Sequence, residues 1–343
     1  MNIYSPFKAL HHSDNITLLR EKKLPIPTQV QIDLTNVCNH DCIYCVYRYE
    51  EAEDVDFDTK QFIKTPKVIE LLEDIKSLGV KAVVLQGGGE PFVHLGIVDV
   101  IRKVDELGLE YGVITNGTAI KEKHIPILKN AKWIRFSVDA ATDETYEQVQ
   151  RTKNNIPKKT IKNIKEQNNK TVVGLSFLSK PENFHEVYEF AIMAKKLGVD
   201  NIRYSIVQTL KGNDIMKPFY KKYFKLLKKS KSLETNNFRI FGLKERSDAL
   251  KNKKNYDTCY YQHFTTSIAA NGKVYPCCWT KNIAKFSLGN INERSFKEIW
   301  LGKNREEKLR NQDLKECPPC WFDKTNELLN YLMKEEPEHV NFV

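Results

Sequence analysis

From residue 30 onward, short apolar runs alternate with stretches whose apolar residues recur every three or four positions. VQIDLT (30–35), KAVVLQ (81–86), YGVITNG (111–117), WIRFSVDA (133–140), TVVGLSFLS (171–179) and NIRYSIVQ (201–208) read as strands. TPKVIELLEDIKSLG (65–79), IVDVIRKVDELG (97–108), the segment around ETYEQVQ (144–150) and FHEVYEFAIMAKKLG (184–198) read as helices. Thr65 is a candidate N-cap and Gly79 a candidate stop. This alternation predicts an α/β fold, with crossover helices joining six parallel strands. Functional side chains then belong at the C-terminal ends of those strands. Residues 1–29, with Pro25 and Pro27, read as an irregular extension. Past residue 209 the alternation stops. KPFYKKYFKLLKKSKS (217–232) reads as a helix with Phe219, Tyr223, Leu226 and Leu227 on one face and lysines on the other. FTTSIAANGKVYPCCW (264–279) reads as a hairpin around Asn271-Gly272, and SFKEIWLGKNREEKLRNQ (295–312) as one helix. The expected organisation is an extension (1–29), a barrel-like unit (30–208), a linker helix region (209–256) and a cysteine-rich unit with its tail (257–343).

Composition narrows this only a little. A chain of 343 residues with 41% hydrophobic content can bury a large core. It has no apolar run long enough to cross a bilayer, and MNIYSPFKALHH lacks the apolar heart of a signal peptide. Eight cysteines in two groups fit a reducing cytoplasm. The net charge of +10 admits an anionic partner such as nucleic acid or a phosphorylated substrate. The basic residues are mostly lysines spread along the chain, which favours a solvated helix face over a nucleic-acid footprint.

The chemistry concentrates in CNHDCIYC, where Cys38, Cys42 and Cys45 follow a strand-like segment. Three thiolates at these spacings can hold three corners of a [4Fe–4S] cube and leave one iron open for a small ligand. Zinc is the competing reading, but it usually takes four ligands in paired spacings. With GGGEP, Gly87 to Pro91, at the end of the next strand-like segment, the chain resembles the radical S-adenosylmethionine (SAM) superfamily over most of its length. That resemblance implies a partial (β/α)6 TIM-like barrel. It also implies reductive cleavage of SAM to methionine and a 5′-deoxyadenosyl radical, which takes a hydrogen atom from the substrate.

Several side chains acquire expected roles from the resemblance. Gly88, Gly89 and Glu90 are expected to meet the amino group of SAM, with glycines allowing close approach to the backbone. Asn116 in Thr115-Asn116-Gly117, and Ser137 and Asp139 in Ser137-Val138-Asp139, end two strands and are expected to bond the ribose and carboxylate of SAM. Ordinary turn chemistry is the alternative. Arg151 either pairs with the SAM carboxylate or stands as a surface arginine. Gln86 is a further candidate, and Tyr44 either packs near adenine or belongs to the core. Asp33, Thr35, Arg203 and Tyr204 lie on strands where half the side chains would face a substrate.

Cys259, Cys277, Cys278, Cys317 and Cys320 form the second group. With NGKVYPCCW, LGNINERSFKEIW and the final CxxC, it resembles the shortened (twitch) form of the SPASM auxiliary-cluster domain. The resemblance implies one auxiliary [4Fe–4S] cluster on Cys259, Cys277, Cys317 and Cys320. Cys278 is then a spare thiol or exchanges roles with Cys277, and a zinc knuckle is the alternative. Four protein ligands leave no open iron, which favours electron transfer. The expected activity is therefore that of an oxidoreductase, oxidising or epimerising a small molecule such as a sugar, an aminocyclitol or a nucleotide-linked metabolite. The resemblance also implies a flavodoxin- or ferredoxin-type reductant. Three alternatives stand beside it: a maturase acting on a peptide or protein, a nucleic-acid base modifier, and a non-catalytic electron-transfer protein. A peptide maturase is disfavoured here because only about thirty residues precede the barrel, too few for a winged-helix peptide-binding domain.

Overall fold

The computed structural model describes residues 3–47, 55–167, 170–207, 214–242, 254–318, 320, 322–335 and 341. Residues 1–29 are not irregular throughout: a 3-10 turn at Pro6–His11 leads into α1 (Ser13–Arg20). The helix buries none of its own residues, so it leaves no apolar stripe in the sequence. It is tied down instead by polar contacts, Asn15 to the Ile26 carbonyl and Arg20 to the Leu332 carbonyl.

The expected strands follow as β1 (Gln29–Asp33), β2 (Ala82–Gln86), β3 (Glu110–Thr115), β4 (Trp133–Ser137), β5 (Val172–Ser179) and β6 (Asn201–Ile206). Between them lie α2 (Thr65–Ser77), α3 (Ile97–Glu106), α4 (Asp143–Gln150), α5 (Lys158–Gln167) and α6 (Val187–Lys196), with α7 (Tyr220–Lys231) after β6. Neighbouring strands from β1 to β6 pair in parallel in chain order. The helices bury i, i+3, i+4, i+7 stripes against them: Val68, Leu71, Leu72 and Ile75 on α2, and Ile97, Val100, Ile101 and Val104 on α3. Lys64, not Thr65, is the N-cap of α2; Pro66 in the first turn starts the helix without a side-chain cap. Gly79 follows the helix with φ +89°, the left-handed stop that glycine allows. The β3–β4 crossover has no α-helix, only 3-10 turns at Glu122–His124 and Pro126–Asn130.

The sheet does not end at six strands. β7 (Arg239–Gly242) adds in parallel to β6, and β8 (Thr265–Ile268) adds in parallel to the free side of β1. β9 (Lys273–Tyr275) and β10 (Gly289–Asn290) continue antiparallel, giving among the described residues one ten-stranded sheet in the order β10-β9-β8-β1-β2-β3-β4-β5-β6-β7. The Asn271-Gly272 turn joins β8 to β9, with Gly272 at φ +82°. The stretch expected as one helix from Ser295 splits at Gly302 into α8 (Phe296–Leu301) and α9 (Lys303–Arg310), because Gly302 is extended. α10 (Asp323–Leu332) follows the last cysteines.

One face of the parallel strands is wholly apolar. Val30, Ile32, Val83, Leu85, Val113, Ile134, Phe136, Val173, Leu175, Phe177 and Ile202 are buried under the helices. The alternate residues, Gln31, Asp33, Gln86, Arg135, Ser137, Ser176 and Arg203, line the concave side. That polar lumen and the C-terminal ends of its strands hold the candidate site.

Candidate active site

Cys38, Cys42 and Cys45 lie on the loop that leaves β1, and four anchors set that loop. The first is the glycine run after β2. The Gly89 N–H donates to the Thr35 carbonyl and the Glu90 N–H to the Val37 carbonyl, both at 2.9 Å. A Cβ on Gly89 would fall 2.1 Å from the Val37 oxygen, and one on Gly88 would fall 2.5 Å from Asn36 Oδ1 and from the Phe57 ring. The close approach these glycines permit is that of the cysteine loop's own backbone. The second anchor is the C-terminal end of α4, where Gln150 and Val149 carbonyls accept from Asp41 and Ile43 N–H groups. The third is His40, buried between Gln150 Oε1 and Thr118 Oγ1, each at 2.8 Å. The fourth is Tyr44, whose hydroxyl donates to Asp139 Oδ2.

Each expected SAM-binding residue has a definite place. Glu90 is buried and fully engaged: Oε1 accepts from Thr115 Oγ1 (2.6 Å) and the Phe92 N–H (3.1 Å), and Oε2 from the Asn116 N–H (2.7 Å). Burial pushes its pKa up to about 7 against the pull of those three donors. It clamps the end of β2 to the end of β3. Asp139 is also buried and sits at φ +58°, with Oδ1 accepting from the Leu178 N–H (2.6 Å). Burial raises its pKa to about 6, opposed by Tyr44, the Leu178 N–H, Arg203 and Lys180. Asn116 bonds Asn39 and Thr118 and lies 4.0 Å from Cys38 Sγ. Ser137 meets Ser176 at the rim, Gln86 donates to Gln31, and Arg151, at φ +43°, pairs with Asp41 at 3.7 Å. Tyr204 lies on the other face of β6, buried against Phe177 and Phe190, and donates to the Val187 carbonyl. Thr35 bonds the Gln61 carbonyl and the Val37 N–H.

Sequence reasoning missed His40, Thr118, Asn183, Lys180, Gln150 and Lys281. Gln150 alone carried a signal: it follows Tyr146 by four residues, so it faces the core from α4. Lys281 makes the most consequential contact. Its ammonium meets Asp33 at 2.5 Å with both side chains buried, and lies 5.1 Å from the Tyr47 ring centre. It joins the loop after Cys277 and Cys278 to the end of β1.

In the second group Cys259, Cys277, Cys317 and Cys320 act on one another electrostatically, and burial pushes their thiols up, Cys259 to about 12 and Cys317 to about 11. Each sulfur also faces a hydrogen-bonding group: Asn326 Nδ2 at 3.4 Å, Thr280 Oγ1 at 3.7 Å, Gln312 Nε2 at 3.0 Å and the Phe322 N–H at 3.3 Å. Cys278 acts on Arg135 and on Tyr47, and it shares Tyr261 with Cys259, Cys277 and Cys320.

These residues fit iron–sulfur clusters and SAM. Both donor sets are thiols, and those of the second set meet groups that favour thiolate. Burial, with Asp139, Cys38 and Cys45 close by, pushes the Cys42 thiol up, although among the described residues no three such side chains converge as around a single ion. Beside Gly88, Asn36 Oδ1 is buried without a hydrogen bond, an acceptor waiting for a donor. No helix among the described residues is long and apolar enough to cross a membrane.

Residues 32–194 match the radical SAM superfamily, and residues 259–321 match an iron–sulfur cluster-binding domain, SPASM. The chain thus carries a radical SAM domain followed by an SPASM domain; a SAM-binding cluster, SAM and auxiliary iron–sulfur ligation are the cofactor chemistry of these domains. It is 25% identical over 300 residues to the antilisterial bacteriocin subtilosin biosynthesis protein AlbA of Bacillus subtilis, covering 85% of this chain and 63% of AlbA. It is 24% identical over 305 residues to the tungsten-containing aldehyde ferredoxin oxidoreductase cofactor-modifying protein of Pyrococcus furiosus, covering 79% and 80%. Streptococcus suis SuiB bound to its precursor peptide SuiA has the same fold, with a TM-score of 0.67 at 16% identity over 98% of this chain and 80% of SuiB.

These findings overturn the small-molecule expectation. The similar proteins include one of bacteriocin biosynthesis and one that holds a precursor peptide, and neither is a sugar or aminocyclitol enzyme. The expectation leaned on the short segment before the barrel, which says nothing about what the lumen can admit.

Proposed function

We propose that this enzyme modifies a peptide or protein, with the lumen of the partial barrel receiving an extended segment of the substrate. The observation that carries the reading is the similarity to AlbA over 85% of the chain, supported by a fold shared with peptide-bound SuiB. Cys38, Cys42 and Cys45 would hold the SAM-binding cluster, and Cys259, Cys277, Cys317 and Cys320 the auxiliary one. When bound, the first cluster and SAM supply hydrogen-atom abstraction.

The chain's own side chains orient and enclose. Asn36 Oδ1 offers an acceptor to the ammonium of SAM, and Ser137 and Asn116 offer polar contacts at the rim. Tyr44, held by Asp139, fixes the wall of the cysteine loop, and the loop after Cys278 closes the lumen on the β1 side through Lys281. A second thiol set with four protein ligands leaves no position for the substrate, which supports a net oxidation of the peptide. The test incubates anaerobically reconstituted enzyme and SAM with a degenerate peptide library and, separately, with a peptide-free metabolite extract. The expected result is peptide products lighter by two hydrogens that vanish in Cys42→Ala. Products confined to the metabolite extract would sink the reading.

A further inference from the structure

Two guanidiniums stand on the concave face of the sheet. Ser137 is in register with Ser176, and Ser176 with Arg203, so Arg203 lies level with the mouth. Arg135, two residues earlier on β4, lies one layer deeper. Tyr4 links them: it hydrogen-bonds Arg135, and the Arg203 guanidinium lies 5.7 Å from its ring centre.

Arg135 is the informative one. The groups acting on it are Tyr4, Cys278 and the Trp133 ring at 5.5 Å, and none of these is a carboxylate. Its Nε is buried and makes no hydrogen bond. Burial accordingly holds its pKa below the ordinary arginine value. Among the described residues, the buried carboxylates on this face are engaged, Asp33 with Lys281 and Asp139 with Tyr44 and the Leu178 N–H. Lys281 faces Asp33, Lys180 faces Glu182 and Asp139, and Arg203 faces Asp139, whereas no described carboxylate acts on Arg135. Keeping a guanidinium desolvated beside a polar cavity is costly unless an anion completes the site. A carboxylate fits the planar fork of arginine with two parallel charge-assisted bonds, which strengthen away from water.

We propose that Arg135, with Arg203 beside it, binds a carboxylate of the peptide substrate within the lumen. This deepens the peptide reading and rests on it. The carboxylate belongs either to an Asp or Glu side chain or to the peptide's own C-terminus, and the recognition chemistry is the same. Arg135 and Arg203 become specificity determinants that place an acidic peptide below the rim of Ser137.

The test uses the cluster-loaded full chain with SAM, immobilised anaerobically. It is offered equimolar N-acetylated, C-amidated pentapeptide pools with Glu, Asp, Gln or Asn fixed at the centre. A fifth pool has Gln at the centre and a free C-terminal acid. Retained peptides are quantified by mass spectrometry, and SAM affinity is measured by equilibrium dialysis. At least one acidic pool should be retained about tenfold over the amidated Gln and Asn pools. Which acidic pool wins names the source of the carboxylate. Arg135→Met should abolish the preference, and Arg135→Lys should restore it in part, with SAM affinity held within about threefold. Arg203→Gln should weaken the preference and serves as the second variant should Arg135→Met load less iron. Equal retention of all pools overturns the proposal and leaves the peptide reading standing. Retention of none removes both. A preference lost together with SAM affinity assigns the arginines to SAM and also overturns the proposal.

Discussion

Single side chains set the site, and two of them can be tested by charge and by volume. Glu90 binds a proton more tightly when folded, with its pKa raised to about 7 from 4.5. Between those values the folded state holds the extra proton, so this group's contribution to stability falls as pH rises from 4.5 to 7. Glu90→Gln removes that slope, on the order of 3 kcal/mol across the window. Urea denaturation of the cluster-free protein at pH 5 and pH 7.5 should show a smaller pH difference in the variant; an unchanged difference would refute the assignment. Gly89→Ala puts a Cβ against backbone at Val37, which no side-chain rotation relieves. The cysteine loop must then shift, and we expect iron bound at Cys38, Cys42 and Cys45 to be lost while the second site still loads. Counting iron in Gly89→Ala, with and without Cys259→Ser, checks this.

At the scale of elements, a buried ion pair joins two of them. Lys281, in the loop that follows β9, neutralises Asp33 at the end of β1, with both side chains out of water. Lys281→Met leaves a buried carboxylate alone and should cost about 3–5 kcal/mol. The double change Asp33→Asn with Lys281→Met should recover most of that, because no uncompensated charge remains. A double-mutant cycle in urea gives the coupling, and additive losses would mean that the pair contributes nothing. The same loop separates Cys277 from its neighbour. Cys277 interacts with the other three thiols, whereas Cys278 acts on Tyr47 and Arg135. Cys277→Ser should therefore lose auxiliary iron and Cys278→Ser should keep it, as read by iron content and the electron paramagnetic resonance of the reduced protein.

Over the whole molecule, the sequence made most of the parallel sheet legible, because strands buried on one face show as short apolar runs between amphipathic helices. β7 is four residues long and escaped notice, and α1 has no buried residue to print a stripe. The cysteines announced themselves by spacing. Their supports did not: His40, Thr118, Lys180 and Asn183, whose side-chain amide donates to the Asp139 and Leu178 carbonyls, are ordinary residues whose roles arise when distant segments meet. Glu90 was legible as part of a motif, but its occupation by three donors within the fold was not. The substrate was least legible, since lumen side chains such as Arg135 and Arg203 carry no periodic signature of their own.

β1 lies between β2 and β8, and β8 comes late in the chain. A ribosome releases the N-terminal part first, so the strand that leads into the Cys38, Cys42 and Cys45 loop waits with one edge bare until Thr265–Ile268 emerges. During that interval the nascent chain has a strand edge open to other chains and an Asp33 without its Lys281 partner. Translation thus imposes an order in which the strand leading into the first cysteine loop is buttressed by residues that emerge much later. A polypeptide cut short before β8 should accumulate in inclusion bodies, and supplying the missing C-terminal part in trans should return some of it to solution.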